Sequence, residues 1–293
     1  MAERQDHENN LLDPRLTPAR ADLAAKYLSG KVAADRFVEG RELETIDPVA
    51  PLRRHPSSDA PLDTEVLKGE RVTVYEVEEG WAWVQLASDG YVGFMPANAL
   101  GPPGAAATHK VSALRTLVFP GPSIKLPPVE ALPFGARVSI VRAAPPFAVT
   151  AAGGYIAARH LAPLATTESD IVGIAERFLG TPYLWGGRTS LGLDCSGLVQ
   201  VAANACGIPC PRDSDMQERA LGSEIPCAEL ASFRRGDFLF WPGHVAIVRN
   251  SSRLIHANAF HMQVASEPLL EAVERIRATG SELRSARRIV DRV

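Results

Sequence analysis

Apolar and polar positions alternate through the first half of the chain. Val72, Val74 and Val77, then Trp81 and Trp83, recur at a period near two between glycine and proline punctuation. That period predicts short antiparallel strands. The pattern occurs twice. Gly69-Glu70-Arg71-Val72-Thr73-Val74 matches Gly135-Ala136-Arg137-Val138-Ser139-Ile140, and Gly90-Tyr91-Val92 matches Gly154-Tyr155-Ile156. Leu52-Arg53 and Leu114-Arg115 form a weaker third match. Two copies of several strands each predict two small all-β barrels, over residues 41–102 and 103–165. Gly101-Pro102-Pro103-Gly104 joins them. Residues 1–40 read as a lead-in that packs on a neighbouring domain. A turn at Asp13-Pro14 precedes a helix opened by Pro18, running through Tyr27 and Leu28 and stopped by Gly30.

The period changes after residue 165. Thr167-Glu168-Ser169-Asp170 offers an N-cap with an acid three positions on. Ile171, Ile174, Ala175 and Phe178 follow at helical spacing, up to Gly180. A second helix starts near Cys195, turns Leu198, Val199, Ala202 and Ala205 inward, and stops at Gly207. Strand-like runs cover 238–241, 245–248, 254–257 and 287–290, with a surface helix over 266–278. Helices followed by strands predict an α+β domain over 166–293 with a central antiparallel sheet.

Composition narrows the function. The 293 residues hold 31 basic and 34 acidic side chains, a net charge of −3, so the basic footprint of a nucleic-acid binder is absent. No apolar run approaches the length of a membrane span. The first residues carry both charge signs and no apolar core, unlike a secretory leader, so the expected compartment is the cytoplasm and no membrane partner is expected. Prolines crowd the first 165 residues, which suits strands and loops. All four cysteines lie in the last 100 residues, too few for a disulfide scaffold.

Cys195 stands where a loop containing Gly186, Gly187 and Gly192 meets a helix. Free N–H groups and partial positive charge there lower a thiol pKa and cradle an oxyanion. Cys206 and Cys210, near the end of that helix, read as structural. His244 opens one strand and His256 ends the next. A hairpin turning about residue 250 makes them cross-strand neighbours on one face, with Cβ atoms about 5 Å apart. A base with a second group to orient it is what a thiol nucleophile requires. His7, His55 and His109 sit in polar or proline-rich stretches, and His160 and His261 show no partner. Zinc on Cys195, His244 and His256 is the rival reading, but no Cys-x-x-Cys or His-Glu-x-x-His spacing supports it. No metal or other cofactor is expected.

The motifs fall in a known order: Gly180-Thr181-Pro182-Tyr183-Leu184-Trp185-Gly186-Gly187, Leu193-Asp194-Cys195-Ser196-Gly197, Pro211-Arg212-Asp213-Ser214 with Gln217, Arg235-Gly236-Asp237-Phe238, Gly243-His244-Val245-Ala246-Ile247 and Ile255-His256-Ala257. This series resembles the NlpC-type cysteine peptidases, papain-like enzymes of bacterial cell-wall turnover. The upstream pattern, Gly-Trp-x-x-Val and then Gly-Tyr-Val-Gly, resembles bacterial Src-homology-3-type domains, although the second copy lacks the tryptophan. Together they are similar to γ-D-glutamyl-L-diamino-acid endopeptidases that recycle murein peptides.

The resemblance implies Cys195 as nucleophile, His244 as general base and then acid, and His256 as the residue that orients it. It implies Tyr183 and the Cys195 N–H at the oxyanion. Asp194, Ser196 and Ser214 would receive the free α-amine of a murein peptide that starts with L-Ala. Trp185, Arg212 and Asp213 belong to the same substrate-binding motifs. An aromatic residue of the first barrel, for which Tyr91 is the candidate, closes the pocket. Asp194 is also placed to cap the helix. A cell-wall amidase or acyltransferase on the same scaffold, and a non-catalytic murein-peptide binder, are the alternatives. The diamino acid that the resemblance implies is diaminopimelate or lysine.

Overall fold

The computed structural model describes residues 13–227 and 230–289. The first twelve residues of the lead-in, with His7, and Val290 of the last expected strand lie outside the described residues. The chain divides into two compact units, residues 1–165 and 166–293.

Antiparallel pairing organises the first unit. One seven-stranded sheet runs in the order Leu62–Leu67, Val49–Arg53, Val92–Pro96, Trp81–Leu86, Arg71–Glu78, Arg41–Thr45 and Leu100–Gly101. Alternation buries Val72 and Val74 on one strand and Ala82, Val84 and Leu86 on the next. Residues 109–163 form a five-stranded and a three-stranded sheet. Both copies of the repeat end alike. Val92–Pro96 passes through the 3-10 turn Ala97–Ala99 into Leu100–Gly101, and Tyr155–Ala157 passes through Ala158–His160 into Leu161–Pro163. The matched Gly69 and Gly135 hold left-handed backbone at φ +80° and +88°, which a side chain would strain.

The expected lead-in helix does not form. Leu23–Ala25 is instead a strand, paired in parallel with Arg36–Val38, and only Lys26–Leu28 makes a 3-10 turn. Leu23, Ala24, Ala25 and Leu28 are buried; that burial overrides the helical preference of the alanines. The lead-in is fixed to the first sheet by Val92 N donating to Arg15 O (2.7 Å) and Gln85 Nε2 donating to Leu16 O (2.9 Å). The Arg20 guanidinium lies 4.5 Å over the buried Trp83 ring.

The second unit is a six-stranded antiparallel sheet covered on both faces. Its strands are β1 (Ser223–Ile225), β2 (Phe238–Trp241), β3 (His244–Asn250), β4 (Arg253–Asn258), β5 (Gln263–Pro268) and β6 (Ser285–Arg288), in the spatial order β1-β6-β2-β3-β4-β5. Its helices are α1 (Ile171–Glu176), α2 (Cys195–Ala205), α3 (Ser214–Ala220) and α4 (Leu269–Ala278). Leu239, Trp241, Ala246, Val248 and Leu254 pack against Leu269, Ala272 and Ile276 of α4. Alternation sends Val245, Ile247 and Ile255 to the other face, where α2 lies against β3 and β4. No helix among the described residues is long and apolar enough to cross a membrane.

Three sequence readings are corrected by the structure, and one helix had no counterpart in the sequence reading. Helix α1 is capped by Asp170, whose Oδ1 accepts from Val172 N (3.1 Å), not by Thr167; Asp170 is also held by Arg235 (2.7 Å). Residues 266–268 belong to β5, because β4 supplies a ladder partner for each of them and the helix starts only after Pro268. The last strand is 285–288, its register set by β2. Helix α3 gave no periodic signal because only Met216 and Gln217 are buried along it.

Candidate active site

Asp194 and Arg212 build the floor of the site. Asp194 caps α2, its Oδ1 accepting from Gly197 N at 2.6 Å, while its Oδ2 accepts from Gly186 N at 2.8 Å. Arg212 grips the same carboxylate with two parallel donors, at 2.9 and 2.6 Å, and donates to Ser196 Oγ at 2.8 Å. Arg212 is 1% exposed and Asp194 7%. A buried bidentate pair of this kind fixes direction as well as distance. A Cβ on Gly197 would collide with the carbonyl oxygen of Gly187, so the loop and the helix start meet at backbone contact. Gln217 Nε2 donates to Ser196 O (2.9 Å), tying α3 to the first turn of α2.

Cys195 is thus held at the first position of α2. Its thiol pKa was expected to fall at a helix terminus; it rises to about 12. Burial is the largest cause and the Asp194 charge adds to it, against backbone N–H groups of Val245 and Ser196 that favour the thiolate. The resting Cys195 is therefore a neutral thiol. Tyr183 is pushed up to about 12 by burial and by the neighbouring Cys195, so its phenol keeps its proton.

The histidines meet, but not in the expected register. Their hairpin turns at Ser251-Ser252, where Asn250 Oδ1 accepts from Ser252 N (3.0 Å), and a bulge between Val248 and Asn250 shifts the ladder. Ile247 pairs Ile255 and Val248 pairs Leu254, so His256 is the diagonal rather than the direct neighbour of His244. The displacement is two residues, an even number, so both rings keep one face. His244 Nε2 and His256 Nδ1 are 2.8 Å apart. His256 Nε2 lies 2.7 Å from Glu267 Oε1, which also accepts from Arg275 at 2.5 Å. Sequence reasoning missed Glu267 and Arg275, because β5 was read as the start of a helix. His261, which also showed no partner in the sequence, joins Asn258 at 3.0 Å. His256, His261 and Glu267 are close enough to share a cation, but Arg275 already occupies that carboxylate.

Burial lowers the His244 pKa to about 3 and also lowers that of His256. Both rings are neutral at pH 7. Unfolded histidines bind protons below about pH 6.5, while the folded His244 resists until about 3. Acid therefore favours the unfolded state. Stability should be insensitive to these rings above pH 6.5 and fall by several kcal/mol, at about 1.4 kcal/mol per pKa unit, as pH drops toward 3. Melting curves between pH 8 and 4 check this; a melting temperature that rises on acidification contradicts it.

Of the other expected site residues, Asp213 and Ser214 stand together at the start of α3. Trp185 lies on the loop before Asp194 and is 64% exposed. Tyr91 belongs to the other compact unit, where it is buried.

Residues 52–100 match the bacterial dipeptidyl-peptidase Sh3 domain, and residues 180–278 match the NlpC/P60 family. The chain is 33% identical over 113 residues to dipeptidyl-peptidase 6 of Lysinibacillus sphaericus, covering 36% of this chain and 41% of that one. It is 26% identical over 240 residues to the γ-D-glutamyl-L-lysine dipeptidyl-peptidase of Bacillus cereus, covering 71% of each. With the first of these, the chain shares less than half of the relative's length. A crystal structure of an NlpC/P60 family protein from Bacillus cereus matches in fold, with a TM-score of 0.73 at 20% identity, over 86% of this chain and all of that one. A segment that matches an SH3-type domain model thus precedes one that matches the NlpC/P60 family.

Proposed function

We infer that this chain, with its NlpC/P60 domain over residues 180–278, is a cysteine peptidase that cuts the γ-D-glutamyl–diamino-acid bond of short murein stem peptides. The observation that carries the reading is Cys195 at the start of α2, its thiol met by the backbone N–H of Val245, the residue that follows His244 of the His244–His256 pair. The Cys195 sulfur attacks the γ-carbonyl of D-Glu while His244 takes the thiol proton. The tetrahedral oxyanion sits at the Cys195 N–H, one of the donors that a helix start leaves without an internal partner, and at the Tyr183 phenol. Collapse breaks the C–N bond as His244 returns the proton to the leaving amine. Water, deprotonated by His244, then hydrolyses the thioester and restores the thiol.

The free α-amine of the peptide is assigned to Asp213 and Ser214, since a carboxylate beside a hydroxyl suits an ammonium. Asp194 and Ser196 take a positioning role instead, because Arg212 holds both. The fold reading that accompanies this function is two small barrels, residues 41–102 and 103–165, ahead of a papain-like domain over 166–293. The setting is the cytoplasm and the role recycling of wall peptides. Four free cysteines suit a reducing compartment, and cell fractionation tests the location.

L-Ala-γ-D-Glu-diaminopimelate should release the L-Ala-γ-D-Glu dipeptide, and the N-acetylated peptide should be cut at least about tenfold more slowly, the loss of one charged contact. Equal rates for both would overturn the amine assignment. With a muramoyl tetrapeptide offered as substrate, release of the sugar would point to an amidase and release of D-Ala alone to a transferase.

A further inference from the structure

We propose that Glu267 is a positioning residue that sets which ring nitrogen of His244 carries its proton, and that Arg275 holds Glu267 in that task. The inference rests on the peptidase reading above and extends it to residues outside the expected triad. An ionised carboxylate only accepts hydrogen bonds. At 2.7 Å from Glu267 Oε1, His256 Nε2 must therefore be the protonated nitrogen and donate. A neutral ring has one N–H, so His256 Nδ1 is an acceptor. His244 Nε2, 2.8 Å from it, must then carry the His244 proton and donate. What remains on His244 is a bare Nδ1, the form able to take a proton from a thiol. Every assignment in this row follows from the one before it, and the row begins at Glu267.

The surroundings keep the first member ionised. Arg275 donates to Oε1 at 2.5 Å and its guanidinium lies 4.3 Å over the Phe260 ring. His256 is 1% exposed and Glu267 8%, so water does not compete for these bonds. Ion pairing and the His256 contact hold the Glu267 carboxyl down to about 2, against its burial. The opposite tautomers would leave His256 Nε2 and Glu267 Oε1 as two acceptors facing each other. When His244 becomes an imidazolium during turnover, the same row offers it an acceptor backed by a negative charge.

The test reads the tautomers directly. In histidine-labelled resting protein at pH 7, nitrogen NMR should show both rings neutral with the proton on Nε2. Glu267→Met, similar in length but without an acceptor, should lose this single tautomer at His256. Its kcat should fall about 10²-fold with KM within about threefold, less than the about 10⁴ of a directly misplaced base. Glu267→Gln keeps an acceptor oxygen and should restore the tautomer and kcat to within about tenfold of the parent. A proton on Nδ1 of His256 in the parent protein overturns the proposal even if no variant folds. So does Glu267→Met with unchanged tautomers and kcat. The spectra need no substrate, so correct tautomers with no hydrolysis of the murein peptide would count against the substrate reading alone.

Discussion

Cys195→Ala protein will fold and will hydrolyse murein tripeptide at least about 10⁴-fold more slowly than the parent. Under the proposed function the Cys195 sulfur is the atom that forms and releases the acyl bond. The other cysteines cannot replace it. Cys206 caps the far end of α2, an eleven-residue helix about 16 Å long at 1.5 Å per residue. The fold should change little, because a buried cysteine packs as a small apolar side chain; a cost near 1 kcal/mol is expected. Product analysis by mass spectrometry, alongside urea unfolding, separates the two effects. Turnover that survives the substitution would remove Cys195 from the mechanism.

Arg212→Ala will lower stability by about 3–5 kcal/mol, the cost of leaving a buried charge without its partner. Arg212 is 1% exposed, and its guanidinium meets both oxygens of Asp194 and the hydroxyl of Ser196. Removing it strands Asp194 beside the Cys195 thiol, whose pKa its charge already raises. Activity should fall together with stability, since the start of α2 places Cys195. Arg212→Lys should recover only part, because an ammonium cannot match the planar two-point contact. Adding Asp194→Asn to Arg212→Ala should recover part of the lost stability, because the uncompensated charge is then gone. Urea midpoints measure all three. A single Arg212→Ala loss under about 1 kcal/mol would show that the pair is not the clamp described here.

Local patterns in the chain foretold the local features. The start of α2 at Cys195, the alternation of Val72 and Val74, and the turn near Asn250 are set by neighbours in sequence. The facing of His244 and His256 survived a wrong register, because the slip was even and face depends only on parity. Features that join distant segments were hidden. Asp194 and Arg212 are eighteen positions apart, and nothing in their spacing announces a salt bridge. Glu267 lies on a strand that looked like the beginning of a helix, since its ladder comes from β4 rather than from its own period. The lead-in strand Leu23–Ala25 was masked by its alanines, for the same reason. The thiol pKa had the opposite sign because the helix terminus is visible in sequence and burial is not. A helix end offers a modest stabilisation, and burial of the thiol outweighs it.

Under the proposed function, Cys195 carries the acyl group cut from a γ-D-glutamyl peptide. Acid quenching of parent protein and L-Ala-γ-D-Glu-diaminopimelate within the first turnovers, followed by intact and peptide mass analysis, tests it directly. One added L-Ala-γ-D-Glu acyl group, mapped to Cys195, is expected, with free diaminopimelate released in equal amount. An adduct on another residue, or hydrolysis with no protein-bound acyl group under conditions that trap a thioester, would contradict it.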